Sequence, residues 1–174
     1  MKINGERIYL RPVKVADARM EYVRWLNDPE VNQFLEIRFV RHTLPALKKY
    51  IAKVLKNPDT IFLAIILKDG YKHIGNIKLG PIDKNHKLAE IGIMIGDKNS
   101  WGNGYATDAI KLLTDYAFNE LKLHKIIAGA YENNIGSVKA FLKLGFCEEG
   151  RRKKHFLYNG KWIDDVLLAK KRRN

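Results

Sequence analysis

The sequence predicts an α/β fold built on a mixed sheet. Three observations carry that prediction. Short apolar runs of strand length, residues 60–67 and 89–97 among them, are bounded by turn residues. Between such runs lie stretches whose apolar residues recur every three or four positions, as on one face of a helix. The two kinds follow in the order strand, helices, three strands, helix, strand, helix, two strands, and strands interleaved with helices bury their faces as an α/β arrangement. The chain has 174 residues, 46% hydrophobic and 10% aromatic, enough for one domain with a substantial core. No repeat, low-complexity stretch or linker divides it, so a single domain over 1–174 is expected.

Arg7-Ile8-Tyr9-Leu10-Arg11 alternates and reads as the first strand, stopped by Pro12. A helix beginning near Asp17 has Met20, Val23, Trp25 and Leu26 among its apolar positions and ends at Asn27-Asp28-Pro29. There Asp28 can cap, and Pro29 can open, a second short helix over 30–34. Thr43 and Pro45 open a third helix through Leu47, Tyr50, Ile51, Val54 and Leu55. Residues 60–67 form a dense apolar strand, Lys68-Asp69-Gly70 turns it, and 73–79 returns as its hairpin partner. Residues 81–87 read as a polar loop. After the 89–97 strand comes a long helix reaching about Glu120, with Ala106, Ala109, Ile110, Leu113 and Ala117 on one face. A strand over 125–131 follows. A helix over 134–144, with Ile135, Val138, Phe141 and Leu142 inward, is closed by Gly145. Two last strands, 146–156 and 161–169, are joined at Tyr158-Asn159-Gly160, whose Asn-Gly pair is a strong hairpin signal.

The chain is organised around the passage from Ala89 to Thr107. An apolar strand ends in a turn, Gly102 and Gly104 follow two residues apart, and an amphipathic helix begins. A helix start offers free backbone N–H groups and the positive end of the helix dipole, a combination that binds anions. Glycines there permit left-handed turns and close approach. A phosphate or pyrophosphate cradle is therefore expected. Gly102-Asn103-Gly104 also begins a Gly-x-Gly-x-x-Gly dinucleotide fingerprint, but the third position is Thr107 and the pattern falls in mid-chain after a hairpin.

Lys+Arg total 32 against Asp+Glu 19, a formal net charge of +13. Such an excess favours anionic partners: a phosphorylated cofactor, a nucleotide-linked substrate, or the RNA of a ribosome. Part of it is terminal, and residues 170–174 are expected to form a basic tail. One cysteine, Cys147, excludes an intrachain disulfide and any multi-cysteine metal site, and it is expected to be a buried core thiol. No apolar run approaches membrane-span length and the N-terminus lacks a signal-peptide core, so a cytoplasmic location without membrane contact is expected.

Two motifs in the right order make the sequence resemble the GNAT family of N-acetyltransferases over almost its whole length. Asn99-Ser100-Trp101-Gly102-Asn103-Gly104 is similar to the family's acetyl-CoA signature Arg/Gln-x-x-Gly-x-Gly/Ala, departing at Asn99. Asn134-Ile135-Gly136-Ser137 with Lys143-Leu144-Gly145-Phe146 matches Asn-x-x-Ser and Lys-x-Gly-Phe. Residues 25–31, 90–92 and 101–107 resemble the branch holding ribosomal-protein N-terminal, polyamine and amino-sugar acetyltransferases. The resemblance implies a mostly antiparallel sheet of about seven strands and about four helices, with one strand pair splayed to form an acyl-CoA cleft. It implies direct acetyl transfer from acetyl-CoA to a primary amine, without a metal.

On that resemblance the backbone of Gly102, Asn103, Gly104, Tyr105 and Ala106 would face the pyrophosphate. Met94 and Ile95 would pair with the pantetheine arm, a strand N–H between Ile93 and Ile95 would polarise the acetyl carbonyl, and Asn134 and Lys139 would touch the cofactor. Glu90, in an otherwise apolar strand, is the expected base, with a pKa raised if desolvation holds. His73 and His86 are the alternative bases, and Asp97 is expected to cap its turn. The family's proton-donating Tyr position is Phe141 here, which leaves Ser137, or more weakly Tyr131, to relay a proton to the thiolate. The acceptor is expected to meet Trp25, Asn27, Asn32 and Phe34 after the first strand, and Tyr158 with Trp162 in the closing hairpin. A nucleotide-linked amino sugar is the expected acceptor. The alternatives are a protein N-terminus, a polyamine, or a non-catalytic ribosome-binding module on the same fold. A homodimer is left open.

Overall fold

The structure is a computed structural model that describes residues 1–172. Among the described residues it has eight strands, one more than expected, and five helices, which are the five read from the sequence and one more than the resemblance implied. The added strand is β1, only Ile3–Asn4, which pairs antiparallel with β2 (Ile8–Pro12). The sheet continues through β3 (Ile61–Leu67), β4 (His73–Asp83), β5 (Leu88–Ile95), β6 (Lys125–Tyr131), β8 (Lys161–Lys171) and β7 (Cys147–Tyr158) at the far edge. Every neighbouring pair is antiparallel except β5 with β6.

That parallel pair is the feature that makes a site. Its register runs only from Leu88↔Lys125 to Glu90↔Ile127, although β5 continues to Ile95 and β6 to Tyr131. Beyond Glu90 the two strands have parted, and the edge of β5 facing β6 is unpaired.

Helices cover both faces. On one face α4 (Tyr105–Asn119) and α5 (Ile135–Lys143) bury Ala109, Ile110, Leu113, Ala117 and Phe141 against Ile91, Ile126, Val166 and Leu168. On the other, α1 (Met20–Asn27) and α3 (Leu44–Leu55) pack Tyr22, Trp25, Leu26, Leu47 and Ile51 against Phe62, Ala64 and Ile66. The helix starts follow their capping residues. The Asp28 carboxylate accepts the Glu30 N–H at 2.9 Å to open α2 (Pro29–Asn32), and the Asn134 side chain accepts the Ser137 N–H at 3.3 Å to open α5.

Four expectations need correction. The polar loop over 81–87 starts later, because β4 runs on through Pro81 to Asp83 beside Leu88 and Ala89. Ile135 and Leu142 are exposed, since α5 turns only Val138, Ala140 and Phe141 towards the core. Cys147 is exposed: it opens the edge strand β7, and its neighbour Phe146 takes the core position. Lys170 and Lys171 belong to β8, and the Lys170 ammonium donates to the Leu144 carbonyl at 2.6 Å; the Arg172 N–H donates to the His124 carbonyl at 2.9 Å, and the rest of the expected tail, residues 173–174, lies outside the described residues. No helix among the described residues is long and apolar enough to cross a membrane.

Candidate active site

The cradle is built by what happens after β5. Gly96 has no side chain because Trp25 lies on it; a Cβ there would stand 2.1 Å from the Trp25 ring. Asp97 then turns the chain, accepting the Ser100 hydroxyl at 2.6 Å and the Lys72 ammonium at 2.9 Å. Burial works to raise the Asp97 carboxyl, but these two donors outweigh it and hold the carboxyl below its usual range. Lys98 bridges Asp28 at 2.7 Å and Glu30 at 3.0 Å, tying the turn to the start of α2.

Gly102 and Gly104 both have positive φ, 74° and 81°, conformations that a side chain would oppose. Gly104 is the N-cap of α4 and brings no side chain to the helix end. The first-turn N–H groups of Tyr105, Ala106 and Thr107 therefore face outward uncapped. They border a cleft of about 520 Å³ whose opposite wall is Asn134, Gly136, Ser137, Lys139 and Lys143 of α5. Lys139 and Lys143 are exposed and have no carboxylate partner among the described residues. An anion would meet a helix dipole on one side and two ammonium groups on the other.

The floor of the cleft is the open edge of β5. The Gly96 N–H donates to the Ile74 carbonyl at 2.9 Å, and Met94 is in register with Asn76. Main-chain groups alternate sides along a strand, so Met94 faces β4 while Ile93 and Ile95 face the gap. The Ile95 carbonyl already accepts the Trp101 indole N–H at 2.9 Å. That leaves the Ile93 N–H and carbonyl and the Ile95 N–H for an extended ligand. The expectation for Met94 is corrected accordingly: its main chain is directed at β4, its side chain borders the cleft, and Ile93 takes the main-chain position.

Two more cavities meet this cleft, and Leu35 and Ile93 border all three. One, of about 390 Å³, lies under α1 and α3 and is walled by Tyr22, Leu26, Tyr50 and Phe62, with Asn76 and Lys78 from β4. The other, of about 550 Å³, opens where β5 and β6 part and contains Glu36, Glu90, Glu149, Asp165 and Arg152. Three of its four carboxylates have basic partners: Glu36 with Arg38 at 3.4 Å, Glu149 with Lys125 at 2.6 Å and Asp165 with Arg152 at 3.1 Å. Burial pushes the Asp165 carboxyl up despite Arg152. Glu90 is exposed and has no basic partner among the described residues, so the desolvation expected of it is absent. Ser137 borders both the cleft and the acidic cavity.

The residues expected to meet the acceptor separate into two groups. Phe34 borders the cleft and the acidic cavity and stacks on Tyr158, ring centroids 5.5 Å apart. The Tyr158 hydroxyl donates to Gln33 at 2.8 Å, which ties the closing hairpin to the segment after α2. Trp25, Asn27 and Asn32 are corrected to structural positions. Trp25 is 7% exposed and packed between Gly96 and His73. Asn27 donates to the Val23 and His42 carbonyls and accepts the His42 N–H, fixing the loop before α3. Asn32 is buried and donates to the Leu26 carbonyl at 2.8 Å.

Neither alternative base borders the three joined cavities. His73 is held edge-on by Tyr22 and Trp25, and burial lowers its pKa; His86 sits in the turn after β4, where its N–H donates to Asp83. Tyr131, the weaker proton-donor candidate, bonds Glu36 and Arg38, and burial with Glu36 pushes its hydroxyl up to about 12. Phe141 borders the acidic cavity and is 2% exposed. The sequence reading named Ile93 only for its N–H, with Met94 as the main-chain partner of the ligand, and it missed Lys143 beside Lys139 and Arg7, which holds the glycine loop from just before β2. Strand alternation and the i, i+4 spacing of the two lysines were the available signals; Arg7, about a hundred residues away in sequence, left none.

Known proteins agree with this geometry. The family model described as "Acetyltransferase (GNAT) domain" matches residues 7–147. The chain is 33% identical to the probable N-acetyltransferase YjcK of Bacillus subtilis (strain 168), covering 96% of this chain and 95% of that protein. It is 36% identical over 101 residues to the spermidine N(1)-acetyltransferase of Escherichia coli (strain K12), covering 58% of this chain and 53% of that one. The crystal structure of spermidine N-acetyltransferase from Vibrio cholerae, in complex with CoA and spermine, superposes with a TM-score of 0.85 at 24% identity, covering 97% of each chain. A cradle at the start of α4, an unpaired strand edge beside it and a family match across both place the chain in the GNAT acetyltransferase family, as an acetyl-CoA-dependent N-acetyltransferase.

Proposed function

We propose that this enzyme, working as one domain, acetylates a small-molecule primary monoamine, the nucleotide-linked amino sugars being the class that its +13 charge favours. The observation that carries the reading is Glu90. It is the one carboxylate of the acidic cavity without a basic partner among the described residues, and it stands where β5 and β6 part. One unpaired carboxylate suits one ammonium. A polyamine carries several, and the neighbouring cavity offers Lys78 and no carboxylate to receive the others.

In this reading the uncapped N–H groups of Tyr105, Ala106 and Thr107, with Gly102, Asn103 and Gly104, hold the pyrophosphate. Asn134, Lys139 and Lys143 close over it from α5. The Ile93 and Ile95 main chain holds the pantetheine arm as an added strand would be held. Glu90 takes a proton from the acceptor ammonium, directly or through water. The freed amine attacks the acetyl carbonyl carbon, and the Ile93 N–H stabilises the oxygen as it becomes negative. The attacking nitrogen gives its second proton to water as the C–S bond breaks, and CoA leaves as a thiolate, protonated by water or through the Ser137 hydroxyl. No phenol stands at Phe141 to do it.

The test is free-thiol release from acetyl-CoA across a panel of amines: free, phosphorylated and UDP- or TDP-linked amino sugars, aminoglycosides, polyamines and short peptides. Turnover that is fastest with monoamines supports the proposal. Turnover confined to spermidine and spermine, or to peptide N-termini, overturns the acceptor class. Salt-dependent RNA binding with neither acetyl-CoA stabilisation nor thiol release would make the chain a binding module instead.

A further inference from the structure

The cavity under α1 and α3 holds two hydrogen-bond donors with nothing to bond. Asn76 is 4% exposed, its Oδ1 lies 3.1 Å from His73 Nε2, and its Nδ2 has no partner. Lys78, two residues along the same face of β4, has no carboxylate partner among the described residues. Both border the cavity, whose remaining walls are chiefly aromatic and aliphatic. A buried donor without an acceptor carries a desolvation cost that a bound acceptor atom would remove. An unpaired ammonium beside it selects the sign of that atom.

We infer that Asn76 and Lys78 are the specificity-determining residues for the acceptor, recognising an oxyanion, carboxylate or phosphate, on the body of the amine. The cavity adjoins Gly92, Ile93 and Met94, so it lies against the same length of β5 that would present the thioester. An acceptor spanning it would place its ammonium at Glu90 and its oxyanion at Asn76 and Lys78. Its ring or aliphatic body would lie between Tyr22, Tyr50 and Phe62. The two ends of the site are then opposite in charge, and the acceptor is held in one direction. Phosphate and carboxylate share the chemistry these donors read.

This inference rests on the monoamine reading above, and the experiment separates the two. Thiol release is followed with matched pairs whose oxyanion stands across the body of the molecule from the amine: glucosamine 6-phosphate against glucosamine, and 4-(aminomethyl)benzoate against benzylamine. The wild-type enzyme is expected to prefer the oxyanion-bearing member of at least one pair by roughly tenfold or more in kcat/KM, the size of a charge-assisted hydrogen bond. The pair that shows the preference identifies phosphate or carboxylate as the source. Lys78→Gln should remove most of the preference through KM, and Lys78→Glu should reverse it, both with an unchanged KM for acetyl-CoA and an unchanged Tm. Asn76→Asp, which replaces the donor with a carboxylate, should act in the same direction. Equal preference in wild type and Lys78→Gln, or no preference in wild type among monoamines it does acetylate, overturns the inference and leaves the monoamine reading standing. No turnover of any monoamine overturns both.

Discussion

The Arg7 guanidinium holds the Asn103 carbonyl at 2.8 Å, between the two glycines of the cradle. The same guanidinium bonds Asp108 in the first turn of α4 at 3.0 Å and lies over the Tyr105 ring at 4.9 Å. Asn103 also ties the loop internally, its side-chain amide donating to the Trp101 carbonyl at 3.0 Å. The loop is thus held from outside by a residue near the N-terminus and from inside by its own asparagine. Both leave the N–H groups of the helix start free.

Arg7→Ala should therefore loosen the cradle without touching the acceptor. The expected result is a rise of about two- to tenfold in the KM for acetyl-CoA, the worth of one net hydrogen bond. The KM for the amine should stay as it is. Steady-state kinetics with each substrate varied in turn separates the two, and Arg7→Lys should recover only part of the loss because it cannot serve Asn103 and Asp108 at once.

Gly96→Ala should destabilise the fold. The new Cβ would stand 2.1 Å from the Trp25 ring, which is itself packed on His73. Overpacking of this kind costs roughly 1–3 kcal/mol, and a chain of this length should lose roughly 2–4 °C of Tm for each kcal/mol. Calorimetry reads it. Because Gly96 directly follows the strand edge, acetyl-CoA affinity should fall with stability.

Which parts of this were legible in the sequence follows from how far apart the interacting residues lie. The cradle was readable because a strand, two glycines and an amphipathic helix stand within twenty residues, and each signal is local. The parting of β5 and β6 came from family resemblance; apolar patterning is the same in a paired strand and an unpaired one. Trp25, Asn27 and Asn32 misled because an aromatic or amide on a helix near a site looks the same whether it lines a pocket or holds a loop. Only the missing side chain of Gly96 gave Trp25 its place, and that relationship spans seventy residues. Lys78 and Asn76 were invisible for a related reason: a donor is notable only once its lack of a partner can be seen.

Asp97→Asn should show a pH-dependent loss of stability. The folded carboxyl is held below its usual value by Ser100 and Lys72. Its contribution is therefore present above the unfolded value of about 4 and disappears as pH falls through the lower folded value. At pH 7 the variant should be less stable by about 1 kcal/mol. Below about pH 4 the wild type loses the same interaction, and the two Tm curves should converge. Parallel curves down to pH 3 would mean that the Asp97 charge contributes nothing to the turn.

Glu90→Gln tests the base. Glu90 is exposed at the point where β5 and β6 part, so its carboxylate can reach both a cationic acceptor and water. Glutamine keeps the shape and most of the hydrogen bonding, and removes the charge and the proton-accepting power. If Glu90 takes the ammonium proton, kcat should fall by roughly 10²-fold, the lower end of what general bases contribute, with the KM for acetyl-CoA nearly unchanged. The pH profile then distinguishes a base from a binding anion. An alkylammonium such as that of lysine titrates at about 10.4, so raising the pH from 7 towards 10 supplies more neutral amine from solution and makes the missing base less important. The deficit of Glu90→Gln in kcat should shrink across that range. A carboxylate that only binds the ammonium would instead appear in the acceptor KM, with kcat near wild type at every pH. A variant equal to wild type in both constants from pH 7 to 10 would remove Glu90 from the mechanism and leave deprotonation of the amine to solvent.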